Sequence, residues 1–190
     1  VVALTFDDGP FPPFTNQIRE ILKQQQVKAT FFIVGRQAAL FPDLIKQLTK
    51  DGFLLGNHSF THSRLGNAPD AVLEQELNAT KDLIVKAGGK EPHWFRPPYG
   101  STSDRLAQLA AVKGYRVVSW NVDSQDWANK DATAVVNQVV GGVKPGAIVL
   151  LHDGGGDRTN TVAALPQIIQ KLKEQGYRFV TLDELVGNNF

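Results

Sequence analysis

Two pairs of residues in this chain have the types and spacing needed for metal-assisted chemistry. Asp7 and Asp8 are adjacent carboxylates, which repel each other unless a cation or a shared proton relieves them. His58 and His62 are four residues apart, so their imidazoles can converge on one face of a helical turn or across a tight loop. Two imidazoles and one carboxylate, from either Asp7 or Asp8, suit zinc and leave a coordination position open for water. A polar turn and two unrelated surface histidines are the competing structural interpretations.

Three further polar segments are candidates for acid–base chemistry. Arg96 stands before a rigid Pro-Pro turn and Tyr99, where it could pair with a carboxylate and lower the pKa of that group. The segment 123–127, Asp-Ser-Gln-Asp-Trp, offers helix caps and an aromatic ring that could line a pocket. His152 ends a very apolar run, a good position for a general acid or base. The structural alternatives are a rigid turn at Arg96–Tyr99, helix caps in the segment 123–127, and a purely structural role for His152.

Other conspicuous residues are interpreted as structural. His93 has no partner motif, and Trp94 and Trp120 lie in strand-like runs, which predicts that both tryptophans are in the core. The run 154–156 is all glycine but lacks the Lys-Ser/Thr of a phosphate-binding loop, so it is predicted to be a flexible loop.

The elements that must position these residues alternate along the chain. Short apolar runs rich in β-branched residues predict strands at Val1–Phe6, Ala29–Val34, Phe53–Leu55, His93–Phe95, Arg116–Trp120, Ala147–Leu151 and Arg178–Val180. Amphipathic segments predict helices at Gln17–Gln25, Asp43–Lys50, Ala71–Lys86, Ser103–Lys113, Thr133–Val140 and Val162–Gln175. Glycines 52, 88, 114 and 176 follow four of these helices as caps. The alternation predicts parallel βαβ units, whose active sites gather at the carboxyl ends of the strands.

Length and composition exclude several classes of protein. The chain of 190 residues fits one domain, and 20 Lys plus Arg against 19 Asp plus Glu give no reason to expect nucleic acid or an anionic membrane as a partner. Cysteine is absent, so a metal site must use His, Asp and Glu. No apolar run approaches the ~20 residues that span a bilayer. No signal peptide is visible, which is uninformative because the chain begins inside an apolar run.

Five motifs together resemble the family-four carbohydrate esterases, the polysaccharide deacetylases. They are TFDDGP at 5–10, HSFTH at 58–62, RPPYG at 96–100, DSQDW at 123–127 and LLHD at 150–153. They stand in the family's order over essentially the whole chain, with no departure at any motif position. The resemblance implies one catalytic domain over residues 1–190. It also implies an α/β fold, a distorted (β/α) barrel of seven parallel strands.

The resemblance implies a metal site and a general base. Asp8, His58 and His62 would bind one divalent ion, expected to be Zn²⁺, with Co²⁺ or Ni²⁺ as substitutes. Asp7 would be the general base, and Arg96 would pair with it to keep it ionised. An adjacent carboxylate pair thus divides into one ligand and one base.

The resemblance also implies an acid and a substrate pocket. His152 would protonate the departing amine, paired with Asp126, which would raise its pKa. The backbone N–H of Tyr99 would hold the oxyanion. Trp127 and Leu150 would wall a small apolar pocket for the acetyl methyl group.

The expected activity is metal-dependent hydrolysis of N-acetyl groups on a polysaccharide that contains N-acetylglucosamine, either chitin-like or peptidoglycan-like. The expected partner is therefore an N-acetylated glycan, for a secreted or cell-envelope protein that acts as a monomer without nucleic acid or membrane. An O-deacetylase such as an acetylxylan esterase is the alternative within the family. A catalytically inactive glycan-binding module and a two-metal phosphoesterase are alternatives outside it.

Overall fold

Seven parallel strands form one sheet in the order β5-β4-β3-β2-β1-β7-β6. The computed structural model describes residues 1–128 and 130–187. The strands are β1 (Val2–Asp7), β2 (Thr30–Ile33), β3 (Leu54–Asn57), β4 (Trp94–Phe95), β5 (Arg116–Val117), β6 (Val122–Asp123) and β7 (Ala147–His152). The helices are α1 (Phe14–Gln24), α2 (Gly35–Leu40), α3 (Pro42–Lys50), α4 (Asp70–Lys86), α5 (Asp104–Val112), α6 (Ala132–Gly142), α7 (Thr159–Glu174) and α8 (Leu182–Val186).

The connection between the two edge strands requires the sheet to curl. In a flat sheet, the first and seventh strands would lie about 29 Å apart, at about 4.8 Å per strand. The chain from Val117 to Val122, which joins edge strand β5 to edge strand β6, spans at most about 18 Å. The sheet therefore curls into a distorted, open barrel, and the predicted fold is confirmed.

The central strand β1 shows how the two faces of the sheet are used. Val2, Leu4 and Phe6 belong to the main hydrophobic cluster, which the helices cover. Because alternate side chains point to opposite faces, Thr5 and Asp7 point into the curl, and both are buried. The inner face of this strand thus carries polar side chains toward the carboxyl end.

Most predicted elements are confirmed, with two exceptions in the strands. Arg178–Val180 is not a strand, since Phe179 makes only an isolated bridge to Val2. The seventh strand is instead β6, of which Val122 lay in no predicted element and Asp123 was predicted only as the start of a polar segment. Helices α2 and α8 were not predicted, because six- and five-residue helices leave little periodicity to detect.

The glycines predicted as helix caps have the expected conformation: residues 52, 88, 114 and 176 have φ between 81° and 94°. Within the described residues, no helix is long and apolar enough to cross a membrane.

Candidate active site

One cleft of about 670 Å³ collects all the predicted polar clusters at the carboxyl ends of the strands. Its walls come from the loops after β1, β2, β3, β4, β6 and β7 and from the β5–β6 connection. The lining residues include Asp7, Asp8, His58, His62, Pro97, Tyr99, Trp127, Leu150 and His152. Arg96 and Asp126 lie behind this surface and are buried.

Asp8, His58 and His62 form a three-ligand group of the kind that binds a metal ion. One ligand atom from each residue lies within 4.8 Å of the other two. Asp8 Oδ1 is 2.9 Å from His62 Nε2 and 3.3 Å from His58 Nε2. The two imidazoles meet across a tight loop rather than along a helix, with ring centroids 5.0 Å apart.

The chemistry of these donors fits a divalent metal. The carbonyl oxygen of Arg96 lies 2.6 Å from His58 Nδ1, so Nδ1 carries the proton in the neutral ring and Nε2 presents a lone pair. Asp8 Oδ1 is buried without a hydrogen-bond partner, an arrangement that a bound cation would satisfy. Burial raises the pKa of Asp8, but the close imidazoles of His58 and His62 outweigh it and hold the pKa well below its usual range.

Glu76, which the sequence analysis missed, fixes the loop between the two histidines. Its carboxylate accepts hydrogen bonds from the backbone N–H groups of Phe60 and Thr61, both 2.8 Å, and from the Thr61 hydroxyl, 2.7 Å. Glu76 lies on α4 between the buried Leu73 and Leu77. A charged residue on the apolar stripe of a helix is the signal that could have revealed it.

Asp7 belongs to a different set of contacts from Asp8. Its Oδ1 accepts a hydrogen bond of 2.9 Å from Arg96 Nη1, and its Oδ2 lies 3.6 Å from His58 Nε2. Arg96 is fully buried and also donates to the Thr5 hydroxyl at 2.7 Å and to the Ser119 carbonyl at 3.0 Å. The ion pair holds the Asp7 carboxylate at the edge of the three-ligand group.

Asp126 and His152 form a second buried ion pair. Asp126 Oδ1 lies 2.7 Å from His152 Nδ1, while Oδ2 accepts hydrogen bonds from the His152 backbone N–H and from the Thr161 hydroxyl, both 2.9 Å. Burial lowers the pKa of His152, but the hydrogen bond and charge of Asp126 outweigh it and raise the pKa to about 9. The ring is thus kept protonated near neutral pH, with Nε2–H available for transfer.

Three residues predicted to contact substrate also reach the cleft. Tyr99 has φ 59°, and among the described residues its backbone N–H makes no hydrogen bond. Trp127 is 55% exposed, and its indole N–H lies 3.3 Å from Asp123 Oδ1. Leu150 is buried at the cleft wall. An unused donor and an apolar wall therefore face the same space.

The first two glycines of the run after β7, which was predicted to be a flexible loop, pack tightly against the loop after β1. A Cβ at Gly155 would lie 2.5 Å from Asp8 Oδ2, and one at Gly154 would lie 2.5 Å from the Asp8 carbonyl oxygen. Asp153, beside them, accepts from the Gly9 backbone N–H at 3.1 Å and from the Thr15 hydroxyl at 2.6 Å. Burial raises the pKa of Asp153 to about 7.

The two tryptophans predicted to be core residues differ. Trp94 is buried, as predicted. Trp120 is only partly buried and lines the cleft, because β5 ends at Val117 and Trp120 lies in the connection to β6. Its ring centroid is 5.7 Å from the Arg96 guanidinium carbon.

A curled parallel sheet with a His-His-Asp group and two Asp-centred ion pairs at its carboxyl end places this chain in the (β/α)-barrel class, with a candidate site for metal-assisted acid–base chemistry. Comparison with known families identifies the family more closely. The chain belongs to the polysaccharide deacetylase family, whose sequence model matches residues 1–118, more than half of the chain. Deacetylases are hydrolases, and the family includes members that act on N-acetyl groups.

Individual relatives agree with this assignment. The chain is 46% identical over 188 residues to a peptidoglycan-N-acetylglucosamine deacetylase of Bacillus cereus, a match that covers 98% of this chain and 88% of the relative. It is 33% identical to a chitooligosaccharide deacetylase of Azorhizobium caulinodans, over 93% of this chain and 90% of the relative. A crystal structure of a peptidoglycan N-acetylglucosamine deacetylase matches with a TM-score of 0.94 and 37% identity, over 97% of this chain and 86% of that one.

Proposed function

We propose that this chain is a metal-dependent N-deacetylase that removes acetyl groups from N-acetylglucosamine units of a polysaccharide outside the cell or in its envelope. The proposal rests on the ligand group of Asp8, His58 and His62. Two imidazoles and one ionised carboxylate, whose Oδ1 has no hydrogen-bond partner, suit Zn²⁺. The relatives act on peptidoglycan and on chitooligosaccharides, which supports an N-acetylated glycan as the substrate.

In the proposed mechanism, the Asp7–Arg96 pair supplies the general base and the Asp126–His152 pair supplies the general acid. When bound, the metal supplies Lewis-acid chemistry, which polarises the substrate carbonyl and lowers the pKa of water. Asp7 accepts the proton of the attacking water, and the Tyr99 N–H donates to the tetrahedral oxyanion. His152 Nε2–H then protonates the departing amine. Trp127 and Leu150 contact the acetyl methyl group.

The protonated state of His152 favours an amide as substrate over an ester. An amine is a poor leaving group unless it receives a proton, whereas an alkoxide of a sugar ester depends less on this step. A histidine whose pKa is raised to about 9 is suited to the harder reaction. We therefore expect N-deacetylation, and acetylated xylan serves as the comparison substrate.

Removal of the metal is expected to lower acetate release from N-acetylglucosamine oligomers by roughly 100-fold or more. Chelated and dialysed protein should recover with one Zn²⁺ per chain, and Co²⁺ and Ni²⁺ should be compared with it. Metal content and acetate are measured on the same samples. Full activity in protein free of metal would contradict the metal-dependent mechanism, and acetate released from acetylated xylan alone would indicate an O-deacetylase.

Glu76→Ala is expected to weaken metal binding by roughly 10- to 100-fold, the usual effect of losing a residue that orients the ligands. The loop between His58 and His62 would lose three hydrogen bonds. Glu76→Gln should recover part of the affinity, because its amide oxygen can still accept from the two backbone N–H groups. Metal affinity is measured by competition with a coloured chelator.

The matched control for this prediction is Glu74→Ala. Glu74 lies on the same helix but pairs with Lys113 at 3.1 Å, away from the histidine loop. Both variants lose one carboxylate from α4, so a change common to both would reflect the helix rather than the loop. Wild-type affinity in Glu76→Ala would show that the loop holds its geometry without this carboxylate.

A further inference from the structure

Arg158 is a buried cation in the cleft to which the proposed mechanism gives no role. It follows the glycine run after β7, at the start of α7, lines the cleft and is 7% exposed. Its Nε–H donates a hydrogen bond of 2.7 Å to the Gly154 carbonyl oxygen. Across residues 1–128 and 130–187, no carboxylate oxygen lies within 4.0 Å of its guanidinium group.

Arg158 is unusual because, unlike Arg96, it is buried without an anionic partner in the described residues. Both arginines are buried as residues, but Arg96 has Asp7 as an ionic partner at 2.9 Å. Burying a cation without an anion is costly, and the positive end of α7 adds to that cost at Arg158. Asp157, the adjacent carboxylate, is exposed and accepts from the N–H and hydroxyl of Thr159. It therefore bonds to Thr159, the first residue of α7, rather than pairing with Arg158.

Arg158 lies next to the proposed reaction centre, with only glycine between them. A Cβ at Gly155 would lie 2.5 Å from Asp8 Oδ2, and a Cβ at Gly156 would lie 3.7 Å from Arg158 Nη2. The two glycines keep this wall free of side chains. A glycan with its acetyl group at Asp8 can therefore extend along this wall toward the guanidinium group.

Arg64, the second arginine that lines the cleft, does not require an anion to stabilise its charge. Arg64 is exposed to solvent, and its guanidinium carbon lies 4.5 Å from the centre of the Tyr99 ring. Water and the ring face can stabilise its charge. Of these two arginines, only Arg158 is both buried and without an anionic partner in the described residues.

We propose that Arg158 binds a carboxylate on a sugar next to the N-acetylglucosamine that is deacetylated, so the enzyme prefers acidic glycans to neutral ones. This inference rests on the proposed deacetylase function. The planar guanidinium group can donate two parallel hydrogen bonds to a carboxylate. Neutral sugar hydroxyls can accept hydrogen bonds from it but bring no negative charge. Released acetate is the other source of the same carboxylate chemistry.

The test compares three tetrasaccharides with the zinc-loaded enzyme. One alternates N-acetylglucosamine with N-acetylmuramic acid, the second is the same compound with its carboxylates reduced to alcohols, and the third is the N-acetylglucosamine tetramer. Wild-type kcat/KM for the acidic compound should exceed that for its reduced form by about 10-fold or more, since hydrogen bonds to charged groups are the strong ones. Equal values for these two would overturn the proposal, whereas no acetate from any of the three would refute the proposed function.

Arg158→Gln should remove this preference through KM and leave the neutral tetramer within about 2-fold of wild type. Arg158→Lys keeps the charge without the planar fork and should retain part of the preference. Arg36→Gln, an exposed arginine on α2 outside the cleft lining, is the matched control for net charge and should keep the full preference. An equal loss on acidic and neutral compounds, or the same loss in Arg36→Gln, would contradict a specific site.

Product inhibition separates the two sources of carboxylate. If Arg158 binds the glycan carboxylate, the inhibition constant of acetate should be the same in Arg158→Gln and wild type. A weaker inhibition by acetate, with the acidic preference intact, would assign Arg158 to the product instead and overturn the proposal. The wild-type comparison of acidic and reduced compounds decides the question even if Arg158→Gln folds poorly.

Discussion

Asp7→Asn is expected to retain the metal and lose turnover by roughly 10²- to 10⁴-fold, the scale of a lost general base. Asp8→Asn is expected to lose the metal, with an affinity reduced by more than roughly 100-fold, beyond the usual effect of residues that only orient ligands. The two substitutions are chemically identical and one residue apart. They should nevertheless give opposite results for metal content.

The contacts of the two carboxylates explain the difference. Asp8 Oδ1 faces both imidazole Nε2 atoms, at 2.9 and 3.3 Å. Asp7 Oδ1 is held by Arg96 at 2.9 Å, so this carboxylate is anchored at the edge of the ligand group. The positive φ of Asp8, 82°, turns the backbone between the two side chains. Such a conformation is rare for residues other than glycine and persists only where its surroundings impose it.

Metal content and acetate release measured on the same preparations test this pair. Excess Zn²⁺ should partly rescue Asp8→Asn and leave Asp7→Asn inactive. Asp43→Asn, an exposed carboxylate in the first turn of α3, controls for the loss of one negative charge, and thermal unfolding checks that each variant folds. Loss of the metal from Asp7→Asn, together with its retention in Asp8→Asn, would mean that the two roles are reversed.

The sequence predicted the residues that line the cleft better than the residues that hold them in place. His58 and His62 are four residues apart, and Asp7 and Asp8 are adjacent, so their chemistry can be read locally. Glu76 is 14 and 18 residues from the histidines and lies on a helix, where nothing local links it to them. Long-range hydrogen bonds depend on how α4 packs, which periodicity alone does not determine.

The strands also divide into those that the local sequence predicts and those that depend on tertiary contacts. β1 and β7 are six residues each and strongly apolar, so their hydrophobic pattern predicts them. β5 and β6 are two residues each and are defined by pairing with neighbouring strands. Trp120 was predicted to be buried in a strand for this reason, although the strand ends three residues earlier. Where an element is this short, tertiary pairing rather than local preference sets its ends.

Arg158 shows a third kind of information that the sequence does not carry. A cation after a glycine run and before a helix is ordinary in a sequence, because most arginines are exposed or paired. Only the packing of the run against Asp8 shows that this one is buried, beside the cleft and without an anion. Its proposed role depends on that burial.

His152→Ala is expected to retain the metal and to lower amide hydrolysis by roughly 10²- to 10⁴-fold, the scale of a lost general acid. Hydrolysis of an aryl acetate with an activated leaving group should fall much less, because that leaving group needs no proton. Acetate release from an N-acetylglucosamine oligomer and from the aryl ester is measured on one preparation of each variant. Equal losses on the two substrates would place His152 in a role other than proton donation.

The pH dependence tests the same role without removing the imidazole. A general acid must be protonated, so activity is present below the pKa of His152 and is lost as the pH rises through it. Asp126 raises that pKa to about 9 against the effect of burial. Asp126→Asn removes the carboxylate that accepts from Nδ1, so the pKa should fall toward about 6.5, the value of a free imidazole, or below it. The basic limb of the kcat/KM profile should therefore move to lower pH for the amide and stay in place for the aryl ester. A basic limb that stays at the same pH for the amide in Asp126→Asn would mean that another group donates the proton to the departing amine.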